Sequence, residues 1–273
     1  MHRYVGGFIG TEEKKDEWLT PKIQEWVAEV KILAKAAKRY QQTAYSGLVR
    51  SLQTEWTYLQ RVVPDLVDFF ARVERALLED FLPALFAETD ANALRELACF
   101  PVRFGGLGIP DPAASAAATF GTSVQMTAQV STFLKEGQPL DAIGFGIAAA
   151  QALRRAKTER EKGLETALEP LLAAAEPSTA RRMKSSKETC AWLTTMPHNL
   201  NGTVLSMEEF RDNLRLRYGL KPQHLPQRCD GCQHSFTVEH ALQCSRGGLI
   251  LQRHHNLAGE WHQLYAEALC PHL

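Results

Sequence analysis

Sixteen residues, CDGCQHSFTVEHALQC at positions 229–244, constrain this chain more than any other stretch. They place Cys229, Cys232, His240 and Cys244 in a C-x2-C-x7-H-x3-C pattern, three soft thiols and one imidazole. That donor set suits a tetrahedral zinc ion, and four protein ligands close the coordination shell, so the expected role is structural. His234 is a second imidazole within reach along the chain, but it stands two residues after Cys232 and is poorly placed to close the ring. Turn-forming residues surround the motif (Pro226, Asp230-Gly231, Gly247-Gly248), and Phe236, Val238 and Leu242 are its only obvious apolar core. A loop with so little apolar mass has few ways to hold a shape other than a metal.

The rest of the composition is ordinary for a globular protein. Of 273 residues, 45% are hydrophobic and 23% charged, with a formal net charge of zero. A global electrostatic footprint for nucleic acid is therefore absent, and any such surface has to be local. Of six cysteines, three belong to the motif and Cys99, Cys190 and Cys270 are scattered, which argues against a disulfide framework. That usage predicts a reducing intracellular compartment, nuclear or cytoplasmic, and not secretion. The first residues show neither an apolar signal core nor a cleavage site, and no apolar run is long enough to span a bilayer. Asn201-Gly202-Thr203 fits a glycosylation sequon but is read as a turn.

Ahead of the motif the pattern is helical. Tyr4, Val5, Phe8 and Ile9 around Gly6-Gly7 predict a short hairpin at residues 1–10, with its natural sheet upstream. Ile23, Trp26, Val27, Val30, Leu33, Ala34 and Ala37 predict an amphipathic helix between Glu12 and about Arg39, with Thr20-Pro21 as a candidate N-terminus. Tyr45, Leu48, Leu52, Trp56 and Leu59 mark a second helix ending at Pro64. Leu66, Phe69, Phe70, Val73, Leu77 and Phe81 mark a third, ending near Pro83. Trp56 and Phe69-Phe70 fit core packing better than base stacking.

FPVRFGGLGIPDP, at 100–112, is too rich in glycine and proline for a helix and predicts a shaped loop. Its Gly105-Gly106-Leu107-Gly108 run lacks the lysine and the strand-to-helix context of a phosphate-binding loop. Helices are expected from Ala113 to about Leu134 and from Leu140 to about Ala175. Residues 177–187, PSTARRMKSSK, read as a basic linker between a helical domain (11–176) and a C-terminal module (188–273). Within that module, Ser206 and Glu209 form a capping box that opens a helix carrying Phe210, Leu214 and Tyr218 and closing at Gly219. A last helix is expected around Leu257 to Leu269.

Local charge departs from the global zero. From Arg211 to His255 there are seven lysines and arginines against three acids, a net of +4, with five histidines besides. Lys221, Arg228, Arg246, Arg253, His254 and His255 are thus the candidate nucleic-acid contacts.

Taken in order, these segments resemble the region that follows the palm in reverse transcriptases of non-LTR retrotransposons. The resemblance is carried by YVGGFIG (4–10), QTEWTYLQ (53–60), LACFPVRFGGLGIPDP (97–112), AWLT (191–194), EFRD (209–212), LRYG (216–219) and residues 229–256. It implies a mainly α chain: palm-strand remnant (1–10), helical thumb-like domain (11–176), and a zinc knuckle that helps bind RNA or DNA. It also implies Cys229, Cys232, His240 and Cys244 as ligands, and Arg253 as the start of an Arg-His-Asn signature. Here that signature reads Arg253-His254-His255-Asn256, so either histidine can correspond. The polymerase aspartates are missing, since no Asp-Asp pair occurs, and the chain is expected to be a fragment without an active site of its own. Palm and endonuclease portions of the same element are then natural partners. A zinc-stabilised protein-interaction module is the competing expectation.

Overall fold

Leu19, Ile23, Trp26, Val30, Ala34 and Ala37 recur at steps of three and four and are all buried, so one stripe of the helix Glu12–Ala37 (α1) seeds the core. Trp26 stacks on Phe70 (ring centroids 6.0 Å) and meets Trp56 edge-on (6.3 Å), while its indole N–H donates to Glu55 at 3.2 Å. Trp56 and Phe70 are core side chains, as expected. The structure is a computed structural model that describes residues 2–4, 7–88, 92–137, 139, 141–189, 191–246 and 249–269. Cys190, Cys270, Val5, Gly6, Leu140 and Gly247-Gly248, named above, lie outside the described residues.

The chain is mainly helical and divides into two compact units, 1–220 and 221–273. The helical unit opens with a two-stranded antiparallel hairpin, β1 (His2–Tyr4) and β2 (Gly7–Ile9), paired Arg3 to Phe8, with Phe8 stacked on Trp18 at 5.5 Å. Helix α1 begins at Glu12, so Pro21 is interior and does not start it. Proline at this position deprives only Glu17, on the exposed side, of a carbonyl partner, which keeps the cost low.

The second and third expected helices are each interrupted by a π turn: α2 (Gln41–Gly47), Leu48–Leu52 and α3 (Gln53–Val62); then α4 (Val67–Ala76), Leu77–Phe81 and α5 (Leu82–Phe86). The spacing of buried residues suits these wider turns. Leu48, Leu52 and Trp56, and likewise Val73, Leu77, Phe81 and Leu85, follow one another in consecutive steps of four. Each such step drifts about 40° around an α-helix, and a wider turn absorbs the drift. The same spacing occurs at Trp26, Val30 and Ala34 in unbroken α1, so it accommodates a π turn without dictating one.

After α6 (Asn92–Cys99), the glycine loop 100–112 forms the hub of this unit, with a 3-10 turn at Val102–Phe104. Its amides are spent internally: Gly105 on Val102, Gly106 on Pro101, Leu107 and Ile109 on Ala98, Gly108 on Phe100, at 2.8–3.3 Å. No donor of the glycine run faces outward to cradle a phosphate. Its carbonyls are held by side chains from four helices: Tyr45 on Leu107 (2.7 Å), Gln53 on Gly108 (3.1 Å), Arg95 on Ile109 (2.7 Å), and Tyr218 on Gly105 (3.0 Å). Arg217 adds bonds to Gly105 and Val102 at 3.2 and 2.9 Å. A Cβ at Gly106 would overlap the Phe100 carbonyl, and Gly105 sits at φ 90°, so glycine is required at both.

Helices α7 (Pro112–Glu136), capped by Asp111, and α8 (Ala142–Ala174), capped by Asp141, follow; α7 packs on α3, α4 and α8. Residues 177–187 are not a linker. They lie in α9 (Pro177–Thr189), whose buried Thr179 and Met183, one turn apart, rest against Gly219 and Gly105. Helix α10 (Ala191–Thr194) and α11 (Met207–Arg217) also belong to this unit: Trp192 packs edge-on to Phe210 (5.4 Å), and Gln42 clamps the Thr203 carbonyl and Leu205 amide at 2.9 and 2.8 Å. The division therefore falls at 220/221, because Leu193, Phe210, Leu214 and Tyr218 are buried in the helical core. The capping box is formed as expected: the Glu209 amide donates to the Ser206 hydroxyl (3.2 Å), and the Ser206 amide to the Glu209 carboxylate (2.8 Å). Ser206→Ala is expected to cost about 1 kcal/mol in urea unfolding. Among the described residues no helix is long and apolar enough to cross a membrane.

Candidate metal centre

In the C-terminal unit the chain turns sharply at Cys229–Cys232. An isolated bridge pairs Arg228 with Ser235, and the Cys229 amide donates to His234 (2.9 Å), Phe236 to Gln227 (3.1 Å) and Gln233 to Cys229 (2.8 Å). Gln233 takes φ 62° to complete the turn. This small hairpin aims two thiols the same way. Thr237 then caps α12 (Val238–Gln243), its hydroxyl accepting from the His240 amide at 3.0 Å. The Cys244 amide donates to the His240 carbonyl at 2.8 Å, so His240 and Cys244 stand one helical turn apart on one side.

Hairpin and helix bring the four predicted ligands together: Cys229 Sγ, Cys232 Sγ, Cys244 Sγ and one His240 ring nitrogen all lie within 4.8 Å of one another. Cys244 Sγ is 3.7 Å from both Cys229 Sγ and Cys232 Sγ, and Cys232 Sγ is 3.2 Å from His240 Nε2. A tetrahedral ion with metal–sulfur bonds of 2.3 Å separates its sulfurs by about 3.8 Å, so the thiol spacing fits a shared ion and is far too long for a disulfide. The three thiols are not joined to one another by a disulfide. His234 is not in the cluster; its Nδ1 lies 3.2 Å from the Cys232 carbonyl.

The surroundings favour thiolate unequally. At Cys229 the hydrogen bond to His240, followed by those from the Cys232 and Gly231 amides, holds the thiol below its ordinary range. At Cys232 the amide of His234 pulls downward, but desolvation and the thiols of Cys244 and Cys229 outweigh it and leave the net shift upward. A cation at the centre removes that mutual repulsion. The donor set and its geometry suit a metal ion closed on all four sides.

The remaining candidates divide. Lys221, Arg228, Arg246, Arg253, His254 and His255 are all exposed, the last three on α13 (Leu249–Leu269). The cationic excess counted along 211–255 does not survive folding. Arg211, Arg215 and Arg217 are buried in the helical unit, bonded to Asp212 (2.9 Å), to the Phe86 carbonyl (2.8 Å) with Glu88 (3.2 Å), and to the glycine loop. Between 221 and 269 four lysines and arginines (221, 228, 246, 253) face four acids (230, 239, 260, 267). The unit is balanced, histidines apart. Neither these arginines nor Arg95 carry a local sequence signal of their role as clamps, because the carbonyls they hold lie elsewhere in the chain.

Compared with protein-family models, curated proteins and solved structures, the chain matches none.

Proposed function

We propose that this chain is the thumb-like and zinc-knuckle region of a reverse transcriptase of non-LTR retrotransposon type, a non-catalytic segment that binds RNA or DNA. The observation that carries the reading is the four-ligand cluster behind a helical unit. Three thiols and an imidazole at tetrahedral spacing favour zinc over harder ions, and the closed shell makes it a folding element. A second support is that QTEWTYLQ, LACFPVRFGGLGIPDP and LRYG, far apart in sequence, meet around the glycine loop through the bonds of Gln53 to Gly108 and of Arg217 to Val102. In this reading the helical unit grips a duplex, and Lys221, Arg228, Arg246 and Arg253, with His254 and His255, contact the backbone.

The test is fluorescence anisotropy of the zinc-loaded full chain on single-stranded and duplex RNA and DNA across a salt titration. Four phosphate contacts on a single strand correspond to a log–log slope of about −3. Binding that is absent at low salt, or indifferent to salt, removes the proposal. The charge balance of residues 221–269 favours a second reading, a zinc-folded protein-interaction module. Partners recovered from extracts after nuclease treatment are its signature.

A further inference from the structure

Helix α13 carries an apolar face that its own unit covers only in part, where Ala241 and Leu242 of α12 stand across a cleft from Leu257. Ile250, His254, Leu257, Trp261, Leu264 and Ala268 succeed one another at alternating steps of four and three, flanked on one edge by Leu251, Ala258 and Tyr265. Leu257, Trp261, Leu264 and Tyr265 are 55–61% exposed. Trp261 and Tyr265 lie side by side, ring centroids 6.3 Å apart. The other edge of the face is charged: Arg253, Glu260 and Glu267 stand at sevenfold spacing, and His255, Asn256, His262 and Gln263 occupy the far side. This is the heptad pattern of a helix that pairs with another, sustained over the helix's 21 residues, about 31 Å.

We propose that the partner is a second copy of this helix, running antiparallel. The charges select that occupant. When two copies align antiparallel about a twofold axis so that Leu257 of each packs on Trp261 of the other, Ile250 meets Ala268 and His254 meets Leu264. In that same register Arg253 of each copy faces Glu267 of the other. Leu251 then lies against Tyr265, and Ala258, the smallest side chain of the edge, faces itself near the axis. Two opposite-charge pairs form for one unfavourable Glu260–Glu260 approach at the centre. A parallel pair in register sets Arg253 beside Ala258 and Glu260 beside Tyr265, with no charge pair at all. The apolar face drives association and the edge fixes its direction. The proposal does not rest on nucleic-acid binding; where the dimer forms it competes with phosphate for Arg253 and His254, so the four-contact salt slope given above belongs to the monomer.

Sedimentation equilibrium of the zinc-loaded full chain through the micromolar range is expected to fit a monomer–dimer scheme. Leu257→Glu with Trp261→Glu is expected to give a monomer of unchanged zinc content and circular dichroism. Arg253→Glu and Glu267→Arg, exposed changes that leave the fold alone, should each weaken the dimer at least tenfold, and the double swap should restore it. A wild-type monomer throughout the range, a dimer indifferent to the four changes, or a double swap no better than the singles overturns the proposal. Protection of α13 from hydrogen exchange in a strictly monomeric chain would make the helical unit its cover, and overturns it equally. Loss of nucleic-acid binding with the dimer intact strikes only the reading of the preceding section.

Discussion

Stripping the metal from the full chain is expected to unfold residues 221–269 and leave the helical unit intact. Among the described residues of the C-terminal unit only Cys229 and Cys244 are buried, and both belong to the four-residue cluster. A metal held by the four-residue cluster would therefore stand where an apolar core stands elsewhere. A structural zinc contributes an apparent ~10–16 kcal/mol near neutral pH, as much as the net stability of a whole domain. Cys232→Ser or a strong chelator should abolish hydrogen-exchange protection across 229–244 and open that segment to protease. The urea transition of the helical unit should not move. The metal should also be lost on acidification: ligands bind as thiolate and neutral imidazole, so each proton taken up as pH falls competes with the ion. A chelated chain that keeps its protection in 229–244, or a metal-to-protein ratio well below one after purification with zinc present, would sink the assignment.

The second large effect belongs to Arg95. Its guanidinium grips Glu74 through two bonds, Nε to Oε1 at 2.6 Å and Nη2 to Oε2 at 2.5 Å, and spends Nη1 on the Ile109 carbonyl. Both side chains are largely out of water, at 10% and 19% exposure. Burial is the largest single influence and would depress the ionisation of Arg95; the Glu74 hydrogen bond, joined by the negative potential of Cys99, Glu74 and Asp111, outweighs it, so the net shift is upward. Arg95→Ala leaves a carboxylate without its partner and a loop carbonyl without a donor, at an expected cost of about 3–5 kcal/mol in urea unfolding of the helical unit. Replacing both members together, Arg95→Met with Glu74→Met, should cost far less, since no orphan charge remains. Equal losses for the single and double variants would show that packing, and not the charge pair, holds the loop.

How much of this was legible beforehand depends on the range of the physics involved. The helical stripes could be read because the period of the helix maps one face directly onto sequence, as in Leu19 to Ala37. The capping box at Ser206 and Glu209 is equally local, three residues apart. Arg215 and Arg217 could not be placed that way, since an arginine looks alike whether it faces water or bonds a carbonyl more than a hundred residues away. The same blindness turned PSTARRMKSSK into a linker: its composition is polar, yet Thr179 and Met183 are the two positions that the helical core takes.

The motif at 229–244 keeps the importance its spacing implied. By itself the sequence determined its four candidate ligands, the hairpin-and-helix turn chemistry that presents them, and the apolar stripes of the helices. Each of these depends on residues within a turn or two of one another. Only the tertiary structure decided that the glycine loop is a hub and not a cradle, that the chain divides at 220/221, and that three of the seven neighbouring cations are spent inside the helical unit. Those outcomes depend on partners distant in sequence, and burial of a polar group is settled by whoever arrives to satisfy it.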